Sequence, residues 1–209
     1  MDSLITAAAR ALAKGDPLNA LNFIALGDDG PGLALRGIAM AQLGDLARAR
    51  ILLRRAARAF GPKEAVARAR CVVAEAEIAL VSRDLTWPAK PLDAAQAVLE
   101  RHGDRANAAH ARYLAIRRLL LIGRLEEAER LIKNFDPARL PTASRAAYQL
   151  AIAGIAIRRL KIKAARAALI EAERAAGEAR IPSLAAEVES AAGMPVSYTH
   201  LTLPTIYSV

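Results

Sequence analysis

Short breaks recur along this chain, and no other feature of the sequence restricts its fold so strongly. They fall at Gly15-Asp16, Gly44-Asp45, Arg83-Asp84, Gly123-Arg124 and Arg159-Leu160, at spacings of about 29 to 40 residues. Between them lie apolar stretches with helical periodicity, and alanine, about a quarter of all residues, dominates them. Alanine and leucine, the next most common, rank among the best helix formers. Residues that suit a pleated sheet are scarce until the last stretch, and aromatics make up only 4% of the chain. The expectation is an all-α protein in which each break joins two helices. One such hairpin cannot bury its own apolar faces, so stacked neighbours have to cover them.

The clearest unit spans residues 33–62. It reads Leu33, Gly37, Met40, Gly44-Asp45, Ala49, Leu53, Ala56 and Gly61-Pro62. The small residues Gly37, Ala49 and Ala56 mark where two helices cross closely. Their spacing resembles the tetratricopeptide repeat, with Leu33, Met40 and Leu53 standing where that family usually places larger aromatics. Half-repeats share the same anchor at Lys14-Gly15-Asp16-Pro17, with Ala20 and Ile24, and at Ile122-Gly123-Arg124, with Ala128, Ile132 and Phe135. Looser copies surround Arg83-Asp84, where Trp87-Pro88 forms a stiff loop that folds back before the helix of Ala95 and Leu99, and Arg159-Leu160. The resemblance implies a right-handed α-solenoid of about five antiparallel helical hairpins. A helical repeat domain is expected over residues 1–192, with the first helix of a sixth hairpin starting near Pro182.

From Pro195 onward the habits of the chain change. No alanine follows Ala192 and no charged residue follows Glu189, while threonine, serine, tyrosine and proline take over. The run SYTHLTLPTIYSV alternates like a strand or binding peptide that could add to a sheet edge. It also resembles translated sequencing-adapter read-through, and an all-α protein has no sheet for such a strand to join. Residues 193–209 are therefore expected to be a non-native or disordered tail, and the chain a fragment.

Little in the sequence points to chemistry, so the expectation is a protein that is not an enzyme and holds no cofactor or metal. Cys71 is the only cysteine, which permits no intrachain disulfide and fits a reducing compartment. It is read as a small buried side chain. The opening lacks the basic end of a secretory signal, and no apolar run reaches the roughly 20 residues of a membrane span. A cytoplasmic location is the corresponding expectation. His102 and His110 flank the Gly103-Asp104 break and are read as exposed residues at helix ends; His200 lies in the tail. The pairs Glu75 and Glu77, Glu126 and Glu127, and Glu171 and Glu173 are read as solvated helix faces. The loop Gly27-Asp28-Asp29-Gly30-Pro31-Gly32 lacks the context of a phosphate or calcium site, and Asp29 is expected to cap the next helix.

Charge is the one feature that speaks for a ligand. The chain carries a formal +9, and its arginines are concentrated between Arg36 and Arg70 and near Arg117-Arg118 and Arg158-Arg159. A basic face can hold phosphate backbones, but only Tyr113 and Tyr148 could supply base stacking nearby. In the tetratricopeptide analogy the first helix of each hairpin lines a concave groove. The exposed positions expected there are Arg36, Arg70, Glu77, His110, Tyr113, Arg117 and Gln149, a mix suited to an acidic or extended peptide. A protein- or peptide-binding scaffold is thus the first functional expectation, with self-association into a homodimer as a further one. The segments ALRGIAMAQLGDLARARILLRRAARAFG and RARCVVAEAEIALVSRDL also resemble the N-terminal helical repeats of bacterial helix-turn-helix transcription regulators. That resemblance implies a sensing or dimerisation region, with DNA bound only through a missing C-terminal domain.

Overall fold

The structure, a computed structural model, describes residues 2–24, 27–133, 135–180 and 182–193. The tail beyond residue 193, with its expected non-native segment and His200, lies outside the described residues. Within them the chain is all-helical, with no strand. The helices are α1 (Asp2–Ala13), α2 (Pro17–Ile24), α3 (Gly30–Gln42), α4 (Leu46–Ala59), α5 (Ala65–Val81), α6 (Ala89–Arg101), α7 (Arg105–Leu121), α8 (Leu125–Lys133), α9 (Thr142–Arg158), α10 (Ile162–Ala179) and α11 (Pro182–Gly193). A short 3-10 turn, Pro137–Arg139, precedes α9. All five breaks read from the sequence sit in turns between an odd-numbered helix and the even-numbered helix after it.

The two residues of a Gly-Asp break have separate tasks. At the end of α3, Gly44 adopts φ 86°, and the Asp45 amide donates back to the Met40 carbonyl at 2.9 Å, closing the helix. Asp45 then opens α4 by accepting from the Arg48 amide at 3.0 Å. Asp16 caps α2 in the same way through the Asn19 amide at 3.1 Å. Asp29 caps α3 through Gly32 at 2.8 Å, as the sequence suggested.

After α9 the same closure is made without glycine. Leu160 takes φ 56° while the Lys161 amide reaches the Ala156 carbonyl at 2.8 Å. The left-handed conformation costs an ordinary L-residue roughly 1–2 kcal/mol, and the Leu160 side chain, 79% exposed, contributes little packing in return. Leu160→Gly is therefore expected to raise the unfolding free energy by about 0.5–1 kcal/mol. Urea denaturation checks this, and an unchanged or lower midpoint would contradict it.

Packing divides the chain into two compact units, with the division between Ala111 and Arg112, inside α7. In the first unit α1 packs on α2 and α3, α3 on α2 and α4, and α5 on α3, α4 and α6. Helices α3 and α5 thus each meet their own partner, the preceding even-numbered helix and a neighbouring odd-numbered one. In the second unit α9 packs on α10 and α11, and α10 packs on α11. Helix α11 meets its two predecessors as α3 meets α1 and α2.

Burial reflects that order. Helices α3, α5 and α9 are buried on most of their circumference, whereas α4, α6 and α10 bury one stripe and expose the other. The α4 stripe is Ala49, Leu52, Leu53 and Ala56, while Arg48, Arg54, Arg55 and Arg58 are exposed. This is the ordinary amphipathic pattern of a helix with one covered side. The close crossing expected at Gly37, Ala49 and Ala56 is present. A Cβ at position 37 would lie 2.9 Å from Leu53 Cγ and 3.3 Å from the Ala49 carbonyl oxygen.

Candidate functional site

The seven residues expected on an exposed binding face have separate fates. Arg70 is exposed and Arg36 and Gln149 are half-buried, but Glu77, His110, Tyr113 and Arg117 are buried. The expectation of exposure fails at these four because the odd-numbered helices have neighbours on most sides, so a polar residue there has to find its partner inside the protein. Arg36 donates to the Gly27 carbonyl at 3.2 Å and lies 3.5 Å from Asp28. It steadies the loop before α3.

Glu77 of α5 and His110 of α7 find each other. Both are only 1% exposed, and His110 Nε2 lies 3.1 Å from Glu77 Oε2. Two readings are corrected here. His110 is not an exposed residue at a helix end, since it lies inside α7. Glu77 is not on a solvated face, because Ala74, Ala76, Ile78 and Ala79 surround it in sequence and are buried with it. His102 is exposed after α6, its Nδ1 2.9 Å from the Val98 carbonyl oxygen. Cys71 is buried as expected, and burial pushes its thiol up to about 12, which leaves it protonated near neutrality.

Six of the twelve arginines in residues 1–111 lie within ion-pair distance of an acid among the described residues. Arg50 meets Asp84 at 2.8 Å and Arg70 meets Asp104 at 2.7 Å, each across 34 residues of sequence. Glu75 accepts from Arg54 Nε at 2.7 Å and from the Trp87 indole at 3.3 Å. Trp87, 9% exposed, is thus held against the helices, in agreement with the folded-back loop expected there. In the second unit Arg159 reaches Glu126 at 2.8 Å and Glu129 at 3.2 Å. Ties with a separation of one repeat join one helix pair to the next. Exposed pairs of this kind contribute little individually, but they fix which neighbour sits where and use up much of the positive charge.

Asp104 shows the balance of forces in one such tie. Burial favours the neutral acid, yet hydrogen bonds from Arg70 and Asn107 and the Arg70 charge outweigh it and hold the carboxyl below its usual range. The same carboxylate caps α7 through the Asn107 amide at 3.3 Å. A carboxyl whose value is lower in the folded than in the unfolded state stabilises fully above the unfolded value, about 4. That contribution is lost as the pH falls below it. Thermal unfolding is therefore expected to show a midpoint that drops on acidification below about pH 4, with a shallower drop in Asp104→Asn. Identical slopes in the two proteins would contradict the assignment.

In the second unit Arg112 and Arg145 were not singled out by the sequence pattern, whereas Arg118 and Tyr148 were. It contains fifteen Lys and Arg against nine Asp and Glu, whereas residues 1–111 contain fifteen against twelve. The Nε atoms of Arg112, Arg118 and Arg145 are buried with no hydrogen-bond acceptor among the described residues. A buried N–H left unpaired costs about 1–3 kcal/mol. Arg112 donates through Nη2 to the Leu131 carbonyl only at a stretched 3.5 Å. Arg145 Nη2 donates to Thr142 at 3.0 Å and lies 3.7 Å from Glu178. Tyr148, one turn beyond Arg145 on α9, is 2% exposed, and its ring centroid is 4.7 Å from that of Phe135. Burial pushes the Tyr148 phenol up to about 12, and the Arg112 charge opposes that shift. The sequence signal was present: Arg145 and Gln149 are one helical turn apart in a helix rich in alanine and isoleucine.

Among the described residues no three His, Cys, Asp or Glu side chains gather as a metal cage, and no helix is long and apolar enough to cross a membrane. No protein-family model matches this chain, nor does any curated protein or solved structure match it.

Proposed function

We propose that this chain is a helical-repeat scaffold, without chemistry of its own, that holds a protein or peptide on its odd-numbered helices. The reading takes the helices as a right-handed, tetratricopeptide-like solenoid in which those helices line the inner face. It is supported by one observation above the rest: the order of packing repeats. Helix α3 covers α1 and α2, α5 covers α3 and α4, and α11 covers α9 and α10. Repeated packing of this kind builds an extended surface from neighbouring repeats. The polar groups fit the same reading, since most serve as caps or ties between helix pairs.

Selection from a displayed random-peptide library against the folded full chain tests the proposal. Enriched sequences whose bound peptide protects amides of the odd-numbered helices from hydrogen exchange are expected. Absence of enrichment over a heat-denatured control, or protection confined to the even-numbered helices, would overturn it.

A further inference from the structure

The outer face of α4 is accessible and basic, and acids of the chain match only part of it. We propose that this face receives an acidic amphipathic peptide segment, with Arg48, Arg55 and Arg58 holding its carboxylates and Ile51 meeting its apolar side. The surface lies on an even-numbered helix of the first unit, so the proposal goes beyond the scaffold reading and stands without it.

Three observations carry it. First, one helix brings the groups together. Arg48, Ile51, Arg55 and Arg58 follow one another at intervals of three, four and three residues, which sets them on a single stripe about 15 Å long. All four are exposed, on the side of α4 away from the buried Ala49, Leu52, Leu53 and Ala56. Second, the charge of the stripe is open to a partner. Helix α4 carries five arginines and no acid. Arg50 and Arg54 are tied within the unit, to Asp84 at 2.8 Å and to Glu75 at 2.7 Å. Arg48 and Arg55 meet only Asp45 and Asp28, each at 3.5 Å, well beyond the roughly 2.7–2.9 Å of a charge-assisted hydrogen bond. Arg58 has no ion-pair partner among the described residues. Third, the chain itself places a carboxylate at one end of the face. Asp28, its side chain 74% exposed, has one oxygen 3.5 Å from both Arg55 of α4 and Arg36 of α3. Guanidinium groups of two helices thus converge on one accessible point. A partner's carboxylate reaches that point by displacing a side chain that water already surrounds.

Ile51 favours an acidic peptide over a nucleic acid. It is 60% exposed between the arginines, with the exposed Ala47 on the same side of the helix. An apolar centre with arginines around it is the anatomy of a protein–protein contact. A phosphate backbone leaves that centre wet, and α4 has no aromatic side chain on which a base could stack.

The test is fluorescence anisotropy of a labelled amphipathic peptide built from glutamate and leucine, titrated with the full chain at physiological ionic strength. Binding is expected, weakened roughly tenfold or more in Arg48→Gln/Arg55→Gln/Arg58→Gln. The triple change Lys161→Gln/Lys163→Gln/Arg166→Gln removes the same charge from exposed positions of the second unit and is expected to alter affinity less than about twofold. Ile51→Ser is expected to cost about fivefold with the peptide and to leave the affinity for labelled duplex DNA unchanged. Asp28→Asn, which releases Arg36 and Arg55, is expected to tighten peptide binding about twofold. Glutamine keeps the helix propensity of arginine, and circular dichroism checks that each variant is folded. Four results would each overturn the proposal: no binding of the peptide, equal weakening by the two triple changes, an unchanged peptide affinity in Ile51→Ser, or weaker binding in Asp28→Asn. Duplex DNA held more tightly than the peptide through the same three arginines overturns it as well.

Discussion

Glu77→Ala is expected to lower the unfolding free energy by about 3 kcal/mol, a large fraction of the stability of an ordinary domain. The pair it breaks joins α5 to α7, and water reaches neither side chain. Removing the carboxylate takes away the acceptor at His110 Nε2 and leaves a void where the side chain was. Both losses act in the folded state, since the unfolded chain hydrates either residue freely. A control separates the lost hydrogen bond from the lost volume: replacing both partners by apolar residues, Glu77→Leu with His110→Phe, removes the polar groups together and keeps most of the packing. Such double replacements are often neutral or stabilising where single ones are damaging. Urea denaturation of the wild type, the two single variants and the double variant completes the cycle. If the double variant is as unstable as Glu77→Ala, the polar pair is not the cause.

Gly37→Leu is expected to cost a similar amount, about 3 kcal/mol, for the opposite reason. Here too much material enters the crossing of α3 and α4. The first added carbon would already lie 2.9 Å from Leu53 Cγ, and the Ala49 carbonyl, which cannot move without disturbing α4, closes the other side at 3.3 Å. Leucine brings three further carbons into the same space. Shortening the opposing side chain with Leu53→Ala makes room, so Gly37→Leu/Leu53→Ala is expected to be more stable than the sum of the two single losses. Strict additivity, measured by the same denaturation cycle, would show that the two residues do not meet.

The parts of the fold legible in the sequence are those governed by local rules. A Gly-Asp break states its conformation in two residues, because glycine permits the helix-ending turn and aspartate caps the helix after it. Leu160 and Arg83, in the left-handed conformation at φ 56° and 55°, are still legible as breaks because the apolar period is interrupted there. Asp29 as a cap and Cys71 as a core residue are equally local. The features that escape a sequence reading are set by partners far along the chain. Glu77 and His110 are 33 residues apart, and nothing beside either one in the sequence names its partner. A polar residue between apolar neighbours, as Glu77 is between Ala76 and Ile78 and His110 between Ala109 and Ala111, is the available warning, and its recurrence at one repeat length is a second. The arginines raise a related difficulty: total charge cannot distinguish Arg50, matched by Asp84, from Arg112, which has no acid among the described residues.

Trp87 is the only tryptophan in the chain, and it is fixed in the first unit by the Glu75 carboxylate that Arg54 also holds. The protein thus carries a built-in optical label on one of its two units. Indole emission tracks the surroundings of the turn before α6, whereas far-ultraviolet circular dichroism sums over every helix. Coincident denaturation curves from the two signals would mean that the units melt as one cooperative block. An early emission change would date the loosening of the first unit separately, with no need to attach a dye.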